Sequence, residues 1–367
     1  MSAALQYDEK RPLTVTAYSL QANDPFRTFQ RYLILDEMDS LLLQVEERLQ
    51  VLRGTLSLGQ YARFVRFFAH YILFARLVQE QEAKEMRSAS DLAANSILRL
   101  YVELLEEAGQ EDDLVALYAS SLDAQNAIDS YAQYLKSLDA DVAADVAIRR
   151  SALLRAKDHD LDLPAVARRT VALIFDDPLS SATDERLIKA LDWLSFDPAT
   201  APEYVTESNA LMRSFLADEK LASARRLLVS LSADLAALSA ASNSEDESVE
   251  HLHYQHLFDA LHAHERFVDV WSERTNERLT TARTEKARWL KALQHACHAA
   301  DIALRHVLEH DWLKLDVGRD GSEMDAEDHQ MQQQRLQDFA KIRKIFIPDL
   351  IFRLHNMLVD TAEAIPE

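Results

Sequence analysis

Nine of the thirteen histidines fall between positions 251 and 310, so this is where metal chemistry is sought first. His306-Val-Leu-Glu-His310 has the H-x-x-E-H spacing of inverted zinc peptidases. On a helix, an i,i+4 pair of imidazoles shares one face, and Glu309 would stand beside the metal as a base. Cys297 and His298 lie two turns earlier, where a third ligand would come from. A five-residue pattern in a His-rich helical stretch arises easily by chance, however, and those peptidases carry it in an α/β setting that this chain does not have. His251, His253, His256, His262 and His264 do not share a single helical face. All of these side chains are therefore expected to be structural, with no metal and no cofactor. A zinc-dependent hydrolase using His306, Glu309 and His310 is the alternative from another functional class.

Other catalytic constellations are missing from the sequence. Gly54 and Gly59 have P-loop-like spacing, but Gln60 and Tyr61 stand where Lys and Ser/Thr are needed. Asp112-Asp113 and Asp176-Asp177 lack the partner acids of an all-α magnesium site. There is no G-x-S-x-G elbow, and the single Cys297 has no evident base and orienter. The expectation is that the chain is not an enzyme.

Charge and composition narrow the class further. Sixty-one acidic against 40 basic residues give a net charge of −21, which disfavours a phosphate backbone as partner. One cysteine excludes a disulfide framework and points to a reducing compartment. The first residues carry no basic-then-apolar leader, and the most apolar run, 64–78, is interrupted by Arg66, His70 and Arg76. A soluble intracellular protein with no direct nucleic-acid contact is expected.

The elements that must position any site are helical. Only five of 367 residues are Gly, and apolar residues recur at 3–4 spacing from about residue 24 to 360. The predicted helices are 24–37, 39–52, 57–80, 90–108, 111–119, 124–138, 141–156, 163–175, 184–195, 202–217, 219–229, 231–240, 249–275, 282–310, 325–345 and 348–362. Asp24-Pro25 and Asp197-Pro198 read as helix starts, and Asp177-Pro178 reads as a start or a turn. The fold class expected is all-α: an elongated irregular solenoid of stacked antiparallel helices, without a fixed-period repeat. A flexible lead segment (1–23), a trunk-like stack (24–245) and a tail-like subdomain of longer helices (246–367) are expected. The acidic stretch Ser242–Ser248 and the stretch 316–323 are read as loops.

Specific words then become recognisable. Asp184-Glu-Arg-Leu-Ile-Lys-Ala-Leu-Asp-Trp-Leu-Ser-Phe-Asp-Pro198, followed by Asn209-Ala-Leu-Met-Arg-Ser-Phe-Leu216, resembles the nucleoporin 84/107 family, stem subunits of the Y-shaped nuclear pore scaffold. Asp24–Leu35, Phe68–Phe74, Leu114–Tyr118, Tyr131–Leu135 and Arg353–Thr361 agree in the same order. The resemblance covers roughly residues 24–362. It implies a C-terminal part of such a protein, without the family's N-terminal half and trimmed at its end. It implies a structural scaffold at the nuclear envelope, in the nuclear pore complex, with an indirect role in nucleocytoplasmic transport. A vesicle-coat solenoid is the alternative within the scaffold class. The implied partner of the C-terminal helices is the helical C-terminal domain of a nucleoporin 133-type protein. Other Y-complex subunits would engage parts of the family absent from this chain.

The spacing also sorts the apolar residues. Trp193 and Phe196, at i,i+3, are expected to anchor a core. The aromatic stretch 64–74 fits a helix buried between neighbours or a partner groove. The last helix is apolar on more than one face, so it docks back on its neighbour or leaves a face for another chain. On it, Leu350, Leu354 and Met357 are assigned to the core, and Ile351, His355 and Leu358 to a partner. Trp312 and Leu313 are expected to extend that partner surface.

Overall fold

With glycine scarce, helix ends must be closed by other residues, and acidic ones do it. Asp36, Asp160 and Glu219 adopt φ near +57 to +59°. At each, the next residue's N–H reaches back to a carbonyl of the last turn: Glu37 to Tyr32 (3.0 Å), Leu161 to Ala156 (2.9 Å) and Lys220 to Phe215 (2.8 Å). These are Schellman closures with a left-handed acidic residue where Gly is usual. Starts are equally legible. Ser57 and Gln60 form half of a capping box, the Gln60 side chain accepting from the Ser57 N–H at 3.2 Å and from the Ser57 hydroxyl at 3.0 Å. Asp123 and Asp162 carboxylates accept from the N–H groups of Asn126 and Ala165, both at 3.1 Å.

The computed structural model describes residues 25–79, 89–109, 112–139, 146–177, 183–238, 245–275, 283–314 and 326–364. Among them every regular element is helical. In chain order these are α1 (Pro25–Leu35), α2 (Met38–Thr55), α3 (Leu58–Gln79), α4 (Ala89–Glu107), α5 (Asp112–Ser120), α6 (Ala124–Asp139), α7 (Val146–Asp158), α8 (Leu163–Phe175), α9 (Asp184–Ala190), α10 (Asp192–Ser195), α11 (Ala201–Ala217), α12 (Leu221–Leu238), α13 (Glu245–Ser272), α14 (Arg283–Glu309) and α15 (Ala326–Ala364). The all-α expectation holds. No described helix is long and apolar enough to cross a membrane. The lead segment 1–23, Asp24, Pro178, residues 242–244 and the 316–323 stretch lie outside the described residues.

Two compact units form, Met1–Thr170 and Val171–Glu367. Position 245, where a subdomain boundary is expected, lies within the second unit, in which α11 packs on both α13 and α15. In the first unit, α4 packs on α2, α3, α5 and α6. The aromatic stretch of α3 divides by face. Phe64, Phe68 and Ile72 are buried, whereas Phe74 is exposed. Phe29 of α1 meets the rings of Phe67 and Tyr71 edge-on, at 4.8 and 5.1 Å.

In the second unit, α11 also packs on α10 and α12, and α14 packs between α13 and α15. Trp193 and Phe196 lie in its core, ring to ring at 5.8 Å in a T arrangement. Asp197 caps a single 3-10 turn, Pro198–Thr200, that leads into α11, so the helix proper begins later than Pro198.

Among the described residues two expected breaks are absent, and part of a third is helical. Where two helices are expected over 219–229 and 231–240, Leu221–Leu238 form the single helix α12. Glu245 to Ser248, expected in a loop, form the first turn of α13. Where two helices are expected over 325–345 and 348–362, Ala326–Ala364 form the 39-residue α15, with Pro348 inside it. A mid-helix proline costs about 3 kcal/mol through the lost bond and ring clash. Here Pro348 and Lys344, whose carbonyl loses its partner, are both exposed, so water can serve that carbonyl. Phe346 and Leu350, buried on either side, hold the helix through the site.

Candidate partner-binding surface

The C-terminal half of α15 has two contrasting faces. Leu350 and Met357 are buried and Leu354 is partly buried, so this row faces the chain's own core. Ile351 is 51% exposed and Phe352 66%, with Leu358 and Val359 at 40% and 43%, and His355 is exposed between them. Positions 351, 352, 355, 358 and 359 follow i, i+1, i+4, i+7, i+8, a continuous stripe on one side of a helix. Sequence reasoning missed Phe352 and Val359. The signal was present, since the two lie seven residues apart and share one side of His355 on the helical wheel, with Ile351 and Leu358 on the other.

Trp312 and Leu313 do not belong to this surface. Each is only 2% exposed. The Trp312 indole N–H donates to the His253 carbonyl at 2.7 Å, and the Leu313 N–H donates to His253 Nδ1 at 3.0 Å. The turn they occupy folds inward against α13, so the expectation of an extended partner surface is corrected: their side chains offer a partner no contact area.

What fixes α15 is a buried charge cluster that the sequence did not announce. The Glu250 side chain on α13 is fully buried. Its Oε1 accepts from Arg213 of α11 at 2.6 Å and from the Tyr254 hydroxyl at 2.5 Å. Its Oε2 accepts from Arg335 Nε of α15 at 2.7 Å. Arg335 also pairs with Glu247 at 3.1 Å, and Asn209 donates to the Glu247 carboxylate at 2.7 Å. Burial, and then the neighbouring carboxylate, raise Tyr254 well above the ordinary phenol range, so it remains a donor. Burial is the largest single influence on Arg213 and opposes its charge, but Glu250, Tyr254 and Glu247 together hold Arg213 above its usual range. Three helices thus meet on one carboxylate whose lone pairs are filled.

The nine histidines between 251 and 310 lie in the same unit. His256 stands edge-on to His306 at 4.4 Å between ring centres, and His306 lies 4.5 Å from His310. Among the described residues, no group of three His, Cys, Asp or Glu side chains is placed to hold a metal ion. Cys297 Sγ lies 3.4 Å from the Thr361 hydroxyl, a contact between α14 and α15. His251, His253, His256 and His264 on α13 are all held below the usual imidazole range, burial being the first cause in each.

The model of the family described as nuclear pore protein 84/107 matches residues 10–367. The nuclear pore complex protein Nup107 of Rattus norvegicus is 25% identical over 397 residues, covering 97% of this chain and 40% of its own length. The Homo sapiens protein of that name is 25% identical over 407 residues, with the same coverage. The Drosophila melanogaster protein of that name is 30% identical over 218 residues, covering 56% of this chain and 24% of its own. The chain spans about 40% of the length of the first two relatives.

Proposed function

The chain belongs to the nuclear pore protein 84/107 family, and on that premise we propose that it is a scaffold element of the nuclear pore complex whose last helix joins it to another nucleoporin. Family membership favours this setting over a vesicle coat. The observation that carries the docking surface is the exposed apolar stripe on α15, opposite a row that packs on the chain's own core. A stripe of this periodicity fits an apolar groove or helix face of a helical partner. The partner proposed is the helical C-terminal domain of a nucleoporin 133-type protein, within the Y-shaped complex. Trp193, Phe196, Leu350, Leu354 and Met357 serve the fold in this reading, and Ile351, His355 and Leu358 serve the joint, now with Phe352 and Val359.

Truncating an apolar interface residue costs binding without unfolding when its side chain was exposed in the free chain. Ile351→Ala with Leu358→Ala is expected to keep helicity and melting temperature while weakening that partner at least about tenfold, or about 1.4 kcal/mol. Calorimetric titration checks this. Unchanged affinity in a folded double variant would remove α15 from the joint.

The reading assigns the chain no reaction. Protein purified without a metal-affinity tag is expected to contain no stoichiometric zinc, and a chelator is expected to leave its melting temperature unchanged. One zinc per chain, lost in His306→Ala, would contradict this.

A further inference from the structure

The turn after α14 is backbone-strained and held from outside. Asp311 and Leu313 have φ of 39° and 49°, in the left-handed region, although neither is glycine. The Lys314 N–H bonds to the Asp311 carbonyl at 2.9 Å, and the two side chains also pair. The remaining anchors come from neighbours. Arg343 of α15 donates to the Trp312 carbonyl. His253 of α13 supplies two more acceptors, its carbonyl to the Trp312 indole and its Nδ1 to the Leu313 N–H. Nδ1 accepts only without a proton. In the neutral ring the proton sits on Nε2, whereas in imidazolium both nitrogens are donors. A proton taken up there would turn an acceptor into a donor aimed at another N–H.

We propose that His253 is a proton-operated clasp: neutral, it holds the Asp311–Lys314 turn closed over Trp312 and Leu313, and protonated, it releases that turn. The charged and titratable groups around it are defined. Glu250 and His256 share its helix, and His306 and His310 come from α14. Asp311 and Lys314 lie in the turn itself. Arg335 and Arg343 come from α15, and Arg213 from α11 is paired with Glu250. From α12, Arg225 is engaged with Glu265 further along α13. Burial first, then His256 and His306, hold His253 below the ordinary imidazole value of 6.5, with Glu250 pulling the other way. Because the folded value is lowered, the clasp is fully closed above that ordinary value. It is lost as pH falls through the lowered one.

Four tryptophans give four indole N–H signals in 15N-Trp-labelled protein, assignable by Trp→Phe substitution. The measurement is protection of the Trp312 indole against solvent exchange, corrected for intrinsic rate, between about pH 7.5 and about pH 5. The expected result is a loss of about tenfold or more at Trp312, while Trp193, buried in the same unit, keeps its protection. In His253→Asn the amide oxygen can take the place of Nδ1 without titrating, and Trp312 protection should stay level across the range. Three results would each overturn the clasp: constant protection in the wild-type chain, an equal acid loss in His253→Asn, or parallel loss at Trp193. The wild-type titration decides even if the variant does not fold.

Discussion

Trp193→Ala is expected to destabilise the chain by about 3–5 kcal/mol, the range for emptying a large aromatic site in a core. Trp193 has no exposed surface and meets Phe196 edge-on at 5.8 Å. Its helix, α10, is a single turn of four residues, too short to stand without tertiary packing. The indole therefore holds α10 against α11 and cannot be replaced by local helix stability. Thr200, whose hydroxyl donates to the Leu194 carbonyl at 2.6 Å, stitches the same corner. Denaturant titration measures the effect, with the change read from the midpoint at constant slope. A loss below about 1 kcal/mol would mean that the surrounding side chains close the space, and the anchor role would fall.

Glu250→Ala is expected to be comparably damaging, at about 3–5 kcal/mol, for an electrostatic reason. The carboxylate is the shared acceptor of Arg213 and Arg335, whose side chains are 13% and 15% exposed. Removing it takes away the carboxylate that both guanidinium groups share, while Glu247 stays 3.1 Å from Arg335 and Asp338 3.8 Å from Arg213. The cluster as a whole need not add net stability, since burying ions is itself costly. What is costly is losing one partner. Glu250→Gln keeps an acceptor without the charge and should fall between wild type and Glu250→Ala. Hydrogen exchange should show the loss concentrated in α13 and the Arg335 end of α15. If Glu250→Ala lost less than about 1 kcal/mol, water would be entering the cluster and the three-helix junction would rest on apolar packing alone.

These two sites differ in how far they could be seen from the sequence. The Trp193–Phe196 pair is local, and i,i+3 spacing within a recognisable word puts both rings on one face. The exposed stripe of α15 was legible for the same reason, apart from Phe352 and Val359. The Glu250 junction joins residues 37 and 85 positions apart, and no periodicity reports such a meeting. Its other carboxylate, Glu247, sits in a run of Ser, Asn, Glu and Asp that reads as a solvated loop. In the fold Glu247 opens α13 and is 9% exposed, bonded by Asn209 and Arg335. Trp312 and Leu313 precede a Gly-containing stretch and read as surface for the same compositional reason. Burial of the turn depends on acceptors supplied by His253, about sixty residues earlier. Pro348 misleads in the opposite direction. Local rules end a helix there, whereas buried Phe346 and Leu350 carry α15 through. Local rules thus gave the elements and their faces, while long-range polar contacts and core packing overrode them at helix ends and turns.

In the function proposed above, the exposed stripe of α15 is a joint between nucleoporins. The most direct measurement places a photo-crosslinking phenylalanine at Phe352, in cells that depend on this chain for nuclear pore assembly. A second such residue at Val229, exposed on α12 of the same unit, serves as the control. Position 352 is expected to crosslink to the helical C-terminal domain of a nucleoporin 133-type protein, and position 229 is not. Assembled pores in which 352 gives no crosslink to any nucleoporin, or in which 229 captures that domain and 352 does not, would contradict it.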